Sequence, residues 1–325
     1  MDIKDVLEAK ERLKGVIRET GLIRTDISDA YNLYLKPENL QVTGSFKVRG
    51  AFNKMLSLTE EEKKRGVIAC SAGNHAQGVA LAAMRMGIRA VICMPESAPN
   101  VKVEATRAMG AEVILVPGVY DDAYDRAIEL AKRYGFVFIH PFNDEKVIAG
   151  QGTIALEILE ELPETDAILC AVGGGGLISG VAMAAKSIKP SVKVFGVESA
   201  GAASMFISVA KGYIDRLETV STIADGIAVK EPGKITFDYV SRYVDDLYTV
   251  RDEDIVRAIR KMLSREKIVA EGAGAAPVAA ALIDILPESV RGKNIVTVVS
   301  GGNIDIEKLL TLMESGPGEE KKKTR

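Results

Sequence analysis

Four short stretches of the 325-residue chain gather residue types that chemistry needs. The first is Gly44-Ser45-Phe46-Lys47. Lys47 follows an apolar run, Leu33-Tyr34-Leu35, and a polar turn, and it opens an apolar helical pattern over 48–58. A lysine amine condenses with aldehydes once its ammonium is partly desolvated, so Lys47 at the mouth of a sheet is placed to hold a cofactor aldehyde. Taken alone it is an ordinary loop lysine, the commoner case. Three later loops reverse that reading. Ser71-Ala72-Gly73-Asn74-His75 follows a strand-like run and opens a helix. Its small residues and helix N-terminus form a cup for a carboxylate or phosphate, and Asn74 can hydrogen-bond a cofactor oxygen. The bland alternative is a turn capped by Ser71, and His75 alone is more often structural. Gly173, Gly174, Gly175 and Gly176 follow another strand-like run. A turn needs one or two glycines; four in a row suit a ring of bare N–H groups around a phosphate. The Lys-Ser/Thr ending of a nucleoside triphosphate loop is missing, and the spacing to Gly180 is not that of a dinucleotide site. Ser300-Gly301-Gly302-Asn303 ends a third strand-like run, with the Ser300 hydroxyl free to meet a ring nitrogen or to cap a helix.

An aldehyde-binding amine, a phosphate cup, a carboxylate cup and a ring-nitrogen partner together match pyridoxal 5'-phosphate. The elements that must position them follow from periodicity. Apolar, β-branched runs at 67–70, 90–94, 112–116, 136–139, 167–172, 193–198 and 295–300 read as strands buried on both faces, hence parallel sheet. Helical patterns fall at 4–15 and 47–58 and then between the strands, at 76–86, 100–109, 120–134, 145–162, 177–188, 252–265 and 275–285. That alternation predicts an α/β fold of open, mostly parallel sheets covered by helices, with ligands beyond the carboxyl ends of the strands. Residues 211–247 are the least regular part, and the polar tail 315–325 is expected to be disordered.

Composition narrows the class. A net charge of -3 offers no electrostatic case for nucleic acid or an anionic membrane surface. No run has the apolar length of a membrane span, and the charged start is not a secretory signal. Cys70, Cys93 and Cys170 lie in apolar runs, which suits buried free thiols in a reducing cytoplasm. Two histidines cannot build a histidine-rich metal site.

The same residues resemble the β-family, or fold type II, of pyridoxal-phosphate enzymes, and within it the group of short catabolic threonine dehydratases and serine racemases. The resemblance runs from about Val16 to Asp305 and rests on LKPENLQVTGSFKVRGA around Lys47, SAGNHAQG at 71–78, VGGGG at 172–176, TIADGIAV at 222–229, EGAG at 271–274 and SGGN at 300–303. It implies that Lys47 is the Schiff-base lysine and that Phe46 packs by the cofactor. It implies that Asn74 binds the phenolic oxygen, Gly173 to Gly176 the phosphate and Ser300 the ring nitrogen. Gly226 and Glu271 would lie beside the ring, and Ser71, Ala72, Gly73, Asn74 and His75 would hold the substrate carboxylate. It further implies a small mobile domain (52–144) inserted in a large one (1–51 and 145–314), the cofactor in the cleft between them, and a homodimer or homotetramer. No C-terminal regulatory domain is expected.

The sequence departs from the group at three places, the first of which bears on function. Serine racemases of the group carry a second serine where Ala72 stands, and a methyl cannot transfer a proton; racemisation needs proton exchange on both faces of Cα, dehydration on one. A divalent cation in the racemases sits on a glutamate, a carbonyl and an aspartate; Glu198 and Ala202 match the first two, but Ser204 takes the third place, which argues against a strong divalent site. Gly21 stands where relatives carry proline. The expected activity is therefore elimination of water from L-threonine and L-serine, giving 2-oxobutyrate or pyruvate and ammonia. Lys47 removes the Cα proton, the cofactor phosphate protonates the leaving hydroxyl, and the neutral Ser300 hydroxyl disfavours transamination. One methyl is worth only about 1–3 kcal/mol, so both substrates should react. The rivals are a serine or aspartate racemase with side dehydratase activity, and a non-catalytic nucleotide-binding protein using the glycine loop; a nicotinamide oxidoreductase lacks its fingerprint.

Overall fold

The computed structural model describes residues 1–314; the tail 315–325, expected to be disordered, lies outside them. The chain opens with α1 (Ile3–Leu13), started by a capping box in which Asp2 accepts from Lys4 N and the Asp5 side chain accepts from Asp2 N. Strands β1 (Ile23–Thr25) and β2 (Asn32–Lys36) pair antiparallel. Helices α2 (Lys47–Leu56) and α3 (Glu60–Arg65) follow. Next β3 (Val67–Cys70), β4 (Ala90–Pro95), β5 (Glu112–Val116) and β6 (Val137–Phe138) alternate with α4 (Asn74–Met86), α5 (Asn100–Ala108) and α6 (Tyr120–Tyr134). The long helix α7 (Glu145–Glu161) leads to β7 (Ala167–Ala171), α8 (Gly176–Ile188), β8 (Lys193–Ser199), α9 (Ser204–Lys211) and α10 (Lys234–Tyr243). The chain then runs through β9 (Asp246–Val250), α11 (Asp252–Lys261), α12 (Gly272–Leu282), β10 (Asn294–Val298) and α13 (Ile306–Glu314).

The strands form two sheets, one six-stranded in the order β1-β2-β10-β7-β8-β9 and one four-stranded in the order β5-β4-β3-β6. Every pairing except β1 with β2 is parallel. Parallel sheets need helices on both faces, and the inner strands show it: every residue of β3 and of β7 is buried. The continuous apolar runs in the sequence came from this double burial. All strands of the smaller sheet fall between residues 67 and 138.

Several elements differ from the sequence reading. Residues 211–247, read as irregular, contain α10 and the start of β9. β9 lies at the sheet edge, and its run Asp-Leu-Tyr-Thr-Val mixes polar with apolar residues instead of being apolar throughout. β1 is three residues long and leaves too short a pattern. The third loop is longer than expected, because β10 ends at Val298 and frees Ser300 from the ladder. The helix read at 252–265 breaks at Met262 into a single π turn, Met262–Glu266.

Three helices cross at very short range. A methyl on Gly150 of α7 would stand 2.7 Å from the Arg49 carbonyl oxygen of α2, and one on Gly152 would stand 2.9 Å from the Gly180 carbonyl oxygen of α8. The contact is backbone on backbone, so only glycine fits. Within that crossing lies a charge network. Arg49, fully buried, forks onto Glu38 with Nε–Oε2 and Nη2–Oε1 both at 2.7 Å. Its other edge meets Glu157 at 2.5 and 2.8 Å, and Nη1 also donates to Thr153 Oγ1 at 3.0 Å. Lys36 Nζ reaches Glu157 at 2.6 Å and donates to the Thr20 carbonyl, while Thr20 Oγ1 donates to Glu38 at 2.6 Å. Two cations and two carboxylates thus neutralise one another out of water. All three cysteines are buried and free. Among the described residues no helix is long and apolar enough to cross a membrane.

Burial alone would raise the Glu38 carboxyl pKa, yet the Arg49 charge and fork hold it below 4.5. Its folded pKa therefore lies under the unfolded one, so its stabilisation is complete above about pH 4.5 and is lost as pH falls through the lower folded value. Glu38→Gln leaves Arg49 short of a counter-charge and is expected to cost about 3–5 kcal/mol. Urea unfolding at pH 7 measures that loss, and at a pH well below both pKa values the gap between variant and parent should shrink.

Candidate active site

The carboxyl ends of both sheets face a single cavity of about 640 Å³. Residues 71–75 follow β3, 97–99 and Lys102 follow β4, and Val119 to Asp121 follow β5 on its wall. Pro141 and Phe142 enter after β6, Gly173 to Gly176 after β7, and Ser300 and Asn303 after β10. This is where open α/β sheets bind ligands. The structure brings together Phe46, Lys47, Ser71, Ala72, Gly73, Asn74, His75, the four glycines, Gly226, Glu271 and Ser300 in that wall. Glu198, Ala202 and Ser204 are not part of it.

Lys47 is the first residue of α2, and that helix is fixed by the charge network two residues on. Part of the Lys47 surface opens to the cavity, but its Nζ is walled by protein and donates to the Pro141 carbonyl at 2.8 Å. Desolvation lowers its pKa from 10.5 to about 8, against an opposing pull from Glu271. The Phe46 ring centroid is 5.2 Å from that nitrogen. The stretch before Lys47 is clamped to the Ser300 loop: Phe46 N donates to Ser300 O at 3.0 Å, and Gly302 N to Gly44 O at 2.9 Å. Ser300 itself is 3% exposed.

The glycine loop is the N-terminus of α8, whose first-turn N–H groups have no partner within the helix. Thr236 Oγ1 donates to the Gly174 carbonyl at 2.5 Å, fixing the loop from behind. Gly175 has φ +89, and a methyl there would stand 2.6 Å from Met205 Cε; one on Gly176 would stand 2.8 Å from Phe142 Cβ, and the Phe142 ring blocks Gly174. The surroundings of this loop leave room for no side chain.

Asn74 starts α4 with its amide already oriented. Nδ2 donates to Glu271 Oε1 at 2.7 Å, and Oδ1 accepts from Asn303 Nδ2 at 2.8 Å. Asn303 Nδ2 also reaches Thr43 O at 2.8 Å. One Nδ2 hydrogen of Asn74 remains for a ligand. Burial raises the Glu271 pKa, opposed by the Asn74 bond and by the Lys102 charge. Gly226, in the turn Asp225–Ile227, packs on Glu271, and Lys308 ties that turn to α13 through Asp225 Oδ2 at 2.8 Å and Ile223 O at 3.0 Å.

His75 does not present a charged ring. Its Nε2 donates to the Ile139 carbonyl at 2.8 Å, and burial pushes its pKa down to about 3. A neutral ring with Nδ1 as acceptor repels a carboxylate, so any anion-holding by this residue falls to its main-chain N–H. The Ser71 hydroxyl accepts from Gly73 N at 3.1 Å, and Ala72 beside it offers only a methyl. Glu198 accepts Met205 N at 3.0 Å and Phe206 N at 2.6 Å, capping α9, while burial pushes its pKa up to about 8. No group of three or more His, Cys, Asp or Glu suited to a metal ion occurs among the described residues. The sequence reading gave no role to Asn303, Pro141, Phe142 or Thr236. Asn303 closes the SGGN motif and was findable; Pro141 and Phe142 act through backbone or shape, and Thr236 through a hydroxyl far along the chain, so none leaves a local signature.

Comparison with known proteins follows the same lines. The model of the family described as pyridoxal-phosphate dependent enzyme matches residues 13–301. L-threonine ammonia-lyase of Thermotoga maritima is 50% identical over 317 residues, which cover 97% of this chain and 78% of that protein. The catabolic L-threonine dehydratase of Escherichia coli is 44% identical over 310 residues, 94% of each chain. Among solved structures, maize serine racemase superposes with a TM-score of 0.91 at 37% identity, covering 96% of each chain. The processed form of threonine deaminase isoform 2 from Solanum lycopersicum gives 0.90 at 40%, covering 96% of this chain and 86% of that one. The chain belongs to the pyridoxal-phosphate dependent enzymes, with the fold type II architecture.

The residues present fit that cofactor. A buried amine held near neutrality, a loop whose neighbours exclude any side chain, and a buried hydroxyl are the donors an aldehyde, a phosphate and a pyridine nitrogen require. Because the Lys47 amine loses its proton above about pH 8, the unloaded protein should react with a small aldehyde and borohydride at Lys47 with a midpoint near that pH. Mass mapping of the adduct across a pH series checks this, and a midpoint at the 10.5 of a free lysine would overturn the assignment.

Proposed function

We infer that the chain is an L-threonine ammonia-lyase that also takes L-serine, converting them to 2-oxobutyrate or pyruvate with release of ammonia. The observation that carries the reading is the pairing of one desolvated base, Lys47, with a methyl at position 72. That arrangement can remove the Cα proton and has no hydroxyl at Ala72 to return one from the other side. The names of the relatives support the same activity.

Lys47 would hold pyridoxal phosphate through its aldehyde. Gly173 to Gly176 would cup the phosphate and Asn74 would meet the phenolic oxygen. Ser300 would meet the ring nitrogen, with Phe46, Gly226 and Glu271 around the ring. When bound, the cofactor supplies an electron sink that acidifies the Cα–H bond. The chain does the rest. The N–H groups at residues 71–75 hold the substrate carboxylate, aided by the α4 N-terminus. The Lys47 amine, freed and neutral, takes the Cα proton. The β-hydroxyl departs with a proton as water, and the unsaturated amine that results hydrolyses to the 2-oxo acid and ammonia. Ser300, uncharged, leaves the ring nitrogen without a counter-ion that would hold it protonated. The apolar wall from Phe46, Ala72 and Ile227 limits water at the reacting carbon.

The same resemblance supports a small domain at 52–144 closing on a large one at 1–51 and 145–314, and a homodimer or homotetramer. Three buried free thiols suit a reducing cytoplasm. With added pyridoxal phosphate the protein should form 2-oxobutyrate and ammonia in equal amounts from L-threonine, and Lys47→Ala should lower kcat about 10²–10⁴-fold or more. Full turnover by Lys47→Ala would overturn the role of that residue. Chiral analysis showing D-serine from L-serine without pyruvate would move the assignment to a racemase.

A further inference from the structure

The carboxylate-holding loop is not alone at its end of the smaller sheet. β3 and β4 are adjacent and parallel, with Cys70 opposite Cys93. Cys70 is the last residue of β3, while β4 runs two residues further, to Pro95; the loops that leave them still emerge at the same end of the sheet. One starts α4 and supplies residues 71–75; the other starts α5 and supplies Ser97, Ala98, Pro99 and Lys102 to the same cavity wall. Lys102 lies in the first turn of α5 and is half-buried.

The charges around the cavity sort themselves by partner. Arg216 pairs with Asp121 at 2.6 Å and Glu231 at 3.4 Å, and Lys308 with Asp225 at 2.8 Å. Lys47 donates to Pro141. Two lysines of the wall, Lys102 and Lys230, have no side-chain hydrogen bond or ion pair among the described residues; of these, Lys102 is the one on the loop beside residues 71–75. Its charge nonetheless acts on Glu271, a buried group of the same cavity wall. A cation that faces inward, within electrostatic reach of the cofactor-side carboxyl and without a fixed counter-ion, suits an anion that comes and goes. The Glu271 carboxyl is already engaged by Asn74 at 2.7 Å.

We propose that Lys102 binds the carboxylate of the amino-acid substrate, completing across the β3–β4 edge the site that the α4 N-terminus begins. The proposal rests on the lyase reading and names the charge that reading lacks: N–H groups and a neutral His75 orient a carboxylate, but they do not neutralise it. Lys102 holds the substrate and takes no part in proton transfer, so its effect falls on KM.

The test uses cofactor-loaded protein and three ligands. Lys102→Gln should raise KM for L-threonine about 10- to 100-fold, the worth of one hydrogen bond to a charged group, with kcat nearly unchanged. For L-threoninamide, which has no carboxylate, parent and variant should be alike. Lys102→Arg should restore most of the loss. Calorimetric binding of 3-hydroxybutyrate, which has carboxylate and hydroxyl but no amine, should weaken by a similar factor in Lys102→Gln, independently of turnover. If threonine and threoninamide suffer equally, or if Lys102→Gln behaves as the parent, the proposal is overturned while the lyase reading stands. If the parent forms no 2-oxobutyrate, it is the lyase reading that fails.

Discussion

The position of the reactive amine depends on a neutral quartet of buried charges, Lys36, Glu38, Arg49 and Glu157. Isolated, each of these ions would be expelled from the interior by its hydration energy. Together they bind strand β2, the turn before α2, α2 itself and α7 into one unit. Replacing such a set by packed hydrocarbon often gains stability, so stability alone does not account for it. Its geometry does something hydrocarbon cannot. The two-pronged Arg49 fork fixes the rotation of α2 about its axis, and that rotation decides where Lys47, two residues earlier, points its amine.

From this fixed point the rest of the site is assembled by strand ends. The Ser300 loop is clamped to the chain just before Lys47 by main-chain hydrogen bonds. The glycine loop is fixed by Thr236 and closed over by Phe142. The Asn74 amide is held between Glu271 and Asn303, so a residue of the smaller sheet is oriented by two residues of the larger one. The residues of the cavity wall therefore meet only when both sheets face each other across it. Desolvation at that seam lowers the Lys47 pKa to about 8 and raises that of Glu271.

Much of this was legible in the sequence because its causes are local. Burial on both faces writes an apolar run, and a ligand-cupping loop writes glycines where a strand stops. Lys47, the four glycines, Asn74 and Ser300 all stand at such junctions and all line the cavity. What stayed hidden depends on partners far along the chain. His75 reads as a polar group beside a carboxylate site, but its ring is committed to Ile139. Phe142 looks like any aromatic residue until the two glycines beneath it are seen. Edge strands β1 and β9 keep polar residues or too few residues to register.

The crossing of α2, α7 and α8 has a consequence for how such a sequence can drift. Where a core contact is side chain on side chain, a larger residue on one helix can be balanced by a smaller one on its neighbour. At Gly150 and Gly152 the opposing atoms are carbonyl oxygens of Arg49 and Gly180, and a carbonyl cannot shrink. These positions hold no reagent and touch no ligand, yet they admit no compensating partner. A library of variants screened only for folding would find them invariant while tolerating change at Lys47, for a reason unconnected with catalysis.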